Sequence, residues 1–226
     1  MAASPRLIDG PAKAPATLLL AHGAGAAMDS PFMAAIAIGL AGRGWRVVRF
    51  EFPYMAQRRL DGRQRAPDRL PRLLAAFREQ VTALQGQGPL LIGGKSMGGR
   101  IASLLVDELA SHGAVRGCLC LGYPFHPPGK PEQLRTEHLV TLTTPTLILQ
   151  GERDSFGKRA EVESTHLSAA IDVQWIPAGD HSFKPTRSSG LSEAGNWQQA
   201  VEQADRFLNT LVAAPGRPPT IDRSGR

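Results

Sequence analysis

Leu90-Leu91-Ile92-Gly93-Gly94-Lys95-Ser96-Met97-Gly98-Gly99 decides how this chain is read. An apolar run from Pro89 to Ile92 ends in Gly94-Lys95-Ser96-Met97-Gly98, a G-x-S-x-G pattern with one more glycine behind it. A helical pattern follows from Arg100 to Ser111. Strand, tight turn with a central serine, then helix is the setting of a nucleophile elbow, in which the turn forces the serine into a strained backbone conformation. Cβ atoms at positions 94 and 98 would collide with the neighbouring strand and helix, which gives the glycines a mechanical reason. The turn lifts the Ser96 hydroxyl above the end of the sheet, at a helix N-terminus whose dipole favours developing negative charge. A bare G-x-S-x-G is common. The flanking strand and helix weigh it toward the elbow and away from an incidental serine in a Gly-rich turn.

The chain of 226 residues is long enough for one α/β domain with a full core and short for two. It has no run of about 18 apolar residues, so no membrane partner is expected. The opening MAASPRLIDGPAKAPA lacks a secretory apolar core and a clear cleavage site, and a cytoplasmic location is expected. Cys118 and Cys120 lie two apart in the apolar run Val115–Leu121 and read as buried thiols. On one face of a strand they cannot bond to each other without distortion, and their spacing is not a metal pattern. Net charge is +6, with arginines concentrated at Arg58, Arg59, Arg63, Arg65, Arg69, Arg72 and Arg78. Asp61, Asp68 and Glu79 are interspersed and no aromatic residue interleaves. The stretch therefore reads as a solvated face ahead of a patch for an anionic partner, and no nucleic acid is expected.

Apolar runs at Thr17–Ala21, Trp45–Phe52, 90–93, Val115–Leu121, Thr146–Gln150 and Val173–Ile176 read as strands. Helical periodicity marks Pro31–Arg43 (Phe32, Ile36, Leu40), Leu70–Leu84 (Leu73, Leu74, Phe77, Val81), 99–111, a stretch between Lys158 and Ala170, and Asn196–Val212. Residues 53–70 read as an Arg-rich connection, and Gly122–Thr144 is Pro-rich with few helix signals. Strands alternating with helices predict an α/β fold: a doubly wound, mainly parallel sheet of six or seven strands with helices on both faces. The expected organisation is an N-terminal arm at 1–14, one domain at 15–213 and a disordered basic tail at 214–226.

A serine hydroxyl is a poor nucleophile alone and needs a base oriented by a third group. Behind an elbow of this kind the chain order is Ser, then Asp or Glu, then His. Asp154 follows the strand Thr146–Gln150 through Gly151-Glu152-Arg153, on a loop at the carboxyl edge of the sheet where ligand sites gather. Glu152, two residues earlier, is the rival acid and ranks behind it. His181 follows the strand Val173–Ile176, on a loop before the closing helix. His112, His126, His138 and His166 lack that order, and Asp180 is too close in sequence to reach the far ring nitrogen of its neighbour. The oxyanion hole needs two backbone N–H groups. Met97 is the residue after the nucleophile, and Ala24 in His22-Gly23-Ala24-Gly25-Ala26, behind an early strand, is the candidate second donor. That loop carries neither G-x-G-x-x-G nor G-x-x-x-x-G-K-[ST], so it does not read as a nucleotide site.

With HGAGA, GGKSMGG, QGERDSFG and GDHSF in this order, the chain resembles the α/β-hydrolase superfamily. More narrowly it is similar to the small dienelactone-hydrolase-like group that includes the hydrolase-like domain shared by a testis-expressed protein and a subunit of the non-specific lethal chromatin complex. Leu121-Gly122-Tyr123-Pro124-Phe125-His126-Pro127-Pro128-Gly129-Lys130, with Arg135-Thr136-Glu137-His138-Leu139 and Gly94–Arg100, carries the narrower likeness, which spans residues 15–212. The resemblance implies Ser96 as nucleophile, Asp154 as acid and His181 as base. Two departures matter. Only about fifteen residues precede the first clear strand, which implies a truncated sheet. A large insert before the acid strand is missing, which implies an open, shallow site with no large lid. Lys95 occupies a slot where aromatic residues or histidine are commoner; its charge would favour an acidic substrate or point to solvent.

The expected function is that of a serine hydrolase acting on a small or exposed carboxylic ester through an acyl-enzyme, with no cofactor and no metal implied. The alternative is a non-catalytic protein-interaction module on the same fold. The sequence does not choose between ester, thioester, lactone and amide, and does not fix the oligomeric state.

Overall fold

The apolar runs become sheet interior because both of their faces are covered. β2 (Thr17–Ala21), β3 (Arg46–Phe50), β4 (Leu90–Lys95), β5 (Cys118–Leu121), β6 (Thr146–Gly151) and β7 (Ile171–Ile176) pair in parallel, and β1 (Arg6–Asp9) joins β3 antiparallel. In the computed structural model, which describes residues 5–213, they form one seven-stranded sheet in the order β1-β3-β2-β4-β5-β6-β7. β4, which runs into Ser96, is the middle strand, in register with β2 from Leu90 opposite Thr17 to Gly94 opposite Ala21.

The helices are α1 (Pro31–Ala41), α2 (Pro53–Asp61), α3 (Leu70–Thr82), α4 (Met97–Ser111), α5 (Arg159–Glu163) and α6 (Glu193–Ala213). Strand alternation divides the core between the two faces. Leu18, Leu20, Leu91 and Leu119 meet Ile36, Leu40, Val201 and Leu208 on the face covered by α1 and α6. Leu19, Ile92, Cys118 and Ile148 meet Phe77, Ile101, Leu105 and Val106 on the face covered by α3 and α4. Burial on both faces is why these strands read as unbroken apolar runs. The doubly wound sheet expected from the sequence is what forms.

Three elements differ from expectation. Within the arm expected at 1–14, Arg6–Asp9 forms the edge strand β1, so the first clear strand in the sequence is the second in the sheet. Its inward partners are long-range: Arg6 Nε donates to Gln80 Oε1 at 2.6 Å, and Asp9 pairs with Arg49 at 2.8 Å. The connection expected at 53–70 holds α2. Pro53 opens that helix, Gly62 closes it at φ 70°, and only Tyr54 and Met55 are buried. The helix expected between Lys158 and Ala170 is the short α5, ended where the Ser164 and Thr165 hydroxyls turn back onto the Glu161 carbonyl at 2.8 and 3.0 Å. The basic tail expected at 214–226 lies outside the described residues. Among the described residues, no helix is long and apolar enough to cross a membrane.

Candidate active site

The turn between β4 and α4 is built around one strained residue. Ser96 sits at φ 51°, ψ −116°, and the helix begins at Met97. A non-glycine residue there costs on the order of 1–3 kcal/mol, which the surroundings must hold in place. They do so by close backbone approach. A Cβ on Gly94 would stand 2.5 Å from the Ala21 carbonyl oxygen, and one on Gly98 would stand 2.5 Å from that same oxygen and 2.6 Å from the His22 carbonyl oxygen. Both positions therefore exclude any side chain.

The structure brings His181 and Asp154 to Ser96. His181 Nε2 lies 2.9 Å from Ser96 Oγ, and His181 Nδ1 lies 2.7 Å from Asp154 Oδ2. A carboxylate only accepts, so Nδ1 carries the proton and donates to Asp154. In the neutral ring Nε2 then accepts, and the Ser96 hydroxyl donates to it. Burial, the largest influence, lowers the His181 pKa from its ordinary value; the hydrogen bond to Asp154 opposes this and the Lys95 charge adds to it. The Phe156 ring packs over the imidazole with centroids 4.3 Å apart.

Asp154 is fully buried and reaches His181 because its own oxygens are held. Oδ1 accepts the Phe156 N–H at 2.8 Å, and Oδ2 accepts the Gln150 amide at 2.9 Å. Gln150, on β6, is buried too; its Oε1 accepts the Tyr123 N–H at 2.7 Å. Glu152, the rival acid, is elsewhere. Its carboxylate accepts the Ala178 N–H at 2.9 Å and pairs with Arg159 at 3.2 Å, pinning the turn before His181. Asp180 caps the same loop by accepting the N–H groups of Ser182 and Lys184 at 2.8 and 3.0 Å.

Met97 opens α4 directly behind Ser96, and Ala24 lines the cavity that also exposes Ser96 and His181. Among the described residues, neither N–H meets a backbone acceptor. The loop carrying Ala24 is anchored by two side chains the sequence did not single out for that purpose. His22 Nε2 accepts the Phe52 N–H at 3.1 Å, so its Nδ1 carries the proton and donates to the Gly23 carbonyl at 2.6 Å. Burial lowers the His22 pKa, which keeps it in that neutral form. The Tyr54 hydroxyl donates to the Ala24 carbonyl at 2.9 Å.

The cavity measures about 460 Å³ and is largely apolar, lined by Phe32, Met33, Phe156 and Trp197 together with Glu193. A larger groove of about 830 Å³ beside α2 and α3 contains neither Ser96 nor His181. Its arginines are paired: Arg59 with Glu51, Arg65 with Asp61 and Arg72 with Asp68. Lys95 does not point to solvent. Its stem is buried, and its ammonium donates to the His181 carbonyl. The stretch 122–145 carries one 3-10 turn at Glu137–Leu139 and packs Tyr123, Phe125, Leu139 and Leu142 into the core, away from the mouth of the cavity. Among the described residues, no His, Cys, Asp and Glu group is placed to hold a metal ion.

A family model described as an alpha/beta hydrolase domain matches residues 14–209. The chain belongs to the alpha/beta hydrolase family. Solved alpha/beta hydrolase structures superpose over nearly its whole length. A dienelactone hydrolase from Anabaena variabilis is 20% identical, with 91% of each chain covered and a TM-score of 0.67. An a/b serine hydrolase without lid from Xanthomonas campestris is 20% identical, covering 93% of this chain and 90% of its own, with a TM-score of 0.65. Est1E from Butyrivibrio proteoclasticus is 14% identical, covering 92% and 94%, with a TM-score of 0.66. At these identities the likeness is one of fold.

Proposed function

We propose that this alpha/beta hydrolase is a serine esterase that cleaves carboxylic esters of small or exposed acids through a Ser96–His181–Asp154 triad. The observation that carries the reading is the continuous relay from the Asp154 carboxylate, through Nδ1 and Nε2 of His181, to a hydroxyl on a strained turn. Strain at a half-buried serine in the cavity wall has no packing purpose. Ser96 Oγ attacks the ester carbonyl while His181 Nε2 takes its proton, and the Met97 and Ala24 N–H groups receive the oxyanion. His181 then gives that proton to the departing alkoxide. A water molecule, deprotonated at Nε2, attacks the acyl carbonyl, and Ser96 leaves with the proton restored. Asp154 holds the productive tautomer and stabilises the imidazolium. The apolar lining with Glu193 in it suits an uncharged acyl group, and Lys95 is engaged by the His181 carbonyl, which argues against the acidic substrate that its charge suggested.

The alternative interaction module gains no support from the arginine-rich stretch, whose Arg59, Arg65, Arg72 and Arg78 are each paired with a carboxylate. Labelling by a fluorescent fluorophosphonate decides the reading, because such a probe reports an activated serine without needing the right substrate. Wild type is expected to label at neutral pH and Ser96→Ala to stay dark. A folded wild type that does not label overturns the esterase reading and returns weight to the module.

A further inference from the structure

Three consecutive carbonyls of the loop that carries His181 are each held by a side chain, one from β4 and two from neighbouring positions on α6. His181 O accepts the Lys95 ammonium, Ser182 O accepts the Trp197 indole N–H at 2.9 Å, and Phe183 O accepts the Asn196 amide at 2.7 Å. The loop needs such holding, since Ala178 and Phe183 sit at φ 52° and 67°, where side chains are disfavoured. Lys95 acts on the base itself. It ends β4, one residue before Ser96, in the row that begins with Leu91 and faces the α1 and α6 layer. On that apolar face its ammonium lies 5.3 Å from the centre of the Phe32 ring. Space for the contact is left by Gly122. At φ 63°, a Cβ there would stand 2.7 Å from Lys95 Nζ and 2.8 Å from His181 O.

We propose that Lys95 is a positioning residue for the reaction, its ammonium anchoring the His181 loop from below and setting a fixed positive charge beside the imidazole. The inference rests on the triad assignment above. A buried ammonium is costly, and a methionine or leucine would fill the same row without that cost. The charged groups that act on the imidazole are Asp154 on the loop after β6, Asp180 on its own loop and Lys95 on β4, and Glu193 at the start of α6 lines the same cavity. The carboxylates of Asp154 and Asp180 favour the imidazolium; Lys95 opposes it. Burial pushes the Lys95 pKa down to about 8, with Asp154 and Asp180 resisting, so at neutral pH the amine still carries its proton. Lys95 thus keeps Nε2 free to accept from Ser96 in a pocket whose two nearby carboxylates would otherwise draw a proton onto the ring.

Lys95→Met, which keeps the stem and removes the charge and the donor, tests this. The rate of fluorophosphonate inactivation is measured from pH 5 to 9. Its acid limb, which reports neutral His181, is expected to move up by about one pH unit in Lys95→Met, with a plateau about tenfold lower. The same comparison is made by imidazole NMR in a Ser96→Ala background, where His181 is expected to titrate at higher pH without Lys95. That readout does not depend on activity, so a wild type that fails to label overturns the esterase reading and leaves the Lys95 inference to the NMR. In the unaltered chain the His181 ring signals are also expected to move a second time as Lys95 loses its proton near pH 8, a measurement that needs no variant. An unshifted His181 titration in folded Lys95→Met overturns the proposal. If that variant does not fold, the absence of the second step in the unaltered chain does so.

Discussion

At the scale of single residues, the site depends on who can donate to whom. Asp154 takes three donors on two oxygens: the Phe156 N–H on Oδ1, and the Gln150 amide and the His181 ring on Oδ2. Asp154→Asn replaces one of those acceptors with an NH2 group. Facing His181, it would force the ring proton onto Nε2, where it opposes the Ser96 hydroxyl; facing Phe156, it would oppose a backbone N–H. The expected outcome is a loss of kcat of about 10³–10⁴-fold with little change in KM, since the cavity wall is untouched. Steady-state kinetics on a p-nitrophenyl ester checks it, and a loss carried mainly by KM would contradict the role given to Asp154. The sequence offered both Asp154 and Glu152 after the same strand, and spacing alone does not separate them. The difference lies in the turn, where the Asp154 N–H bonds back to Gly151 at 3.0 Å and swings that side chain under His181. Gln150 was invisible for another reason: a buried amide inside an apolar strand shows its purpose only when Tyr123 and Asp154 are brought to it by the fold.

At the scale of elements, the β4–α4 turn was legible because its constraint is local: glycines at fixed offsets from a serine, between a strand pattern and a helix pattern. β1 and α2 were not. β1 is four residues long with Leu7 and Ile8 exposed, so it has almost no pattern of its own and exists because β3 offers an edge. α2 carried its signals, Pro53 at the start and Gly62 at the end, but its arginines left too little apolar periodicity to outweigh the look of a loop. The locality of the elbow makes a sharp prediction. Gly98→Ala puts a methyl 2.5 Å from one backbone oxygen and 2.6 Å from another, and neither belongs to a flexible side chain. The strand end or the helix must shift, at a cost of about 3 kcal/mol, seen as a fall in Tm of about 6–12 °C with loss of probe labelling. Gly42→Ala is the control, at φ −62° with its nearest neighbour at 3.5 Å. It should leave Tm unchanged or slightly raised. Equal effects at the two positions would mean that the close approach at Gly98 is not what demands glycine.

At the scale of the whole molecule, three histidines are held below their ordinary pKa by burial, on different parts of the fold. His22 pins the Ala24 loop, His181 faces Ser96, and His138, lowered to about 4, meets the buried Ser103 hydroxyl at 2.9 Å. Each takes up a proton in the unfolded chain near the ordinary histidine value of about 6.5, while the folded chain resists until lower pH. Between those values the unfolded state binds more protons, so stability must fall as pH falls. The sign is the same for all three. At His22 the reason is geometric: a proton on Nε2 would face the Phe52 N–H that it now accepts. Net charge, already +6, rises with each proton, and self-repulsion pushes the same way. Carboxylates whose pKa is lowered by arginine partners, such as Asp29 and Glu108, add their own loss only at lower pH, as they protonate below the unfolded carboxylate range. Thermal melts from pH 7.5 to 5 should therefore show Tm flat above about 6.5 and declining steadily below it. His138→Gln, which keeps a hydrogen-bonding group toward Ser103 but cannot titrate, should decline less steeply over that interval. A Tm that stays level down to pH 5, or a slope unaltered in His138→Gln, would show that these buried rings do not couple the fold to pH in the way their surroundings require.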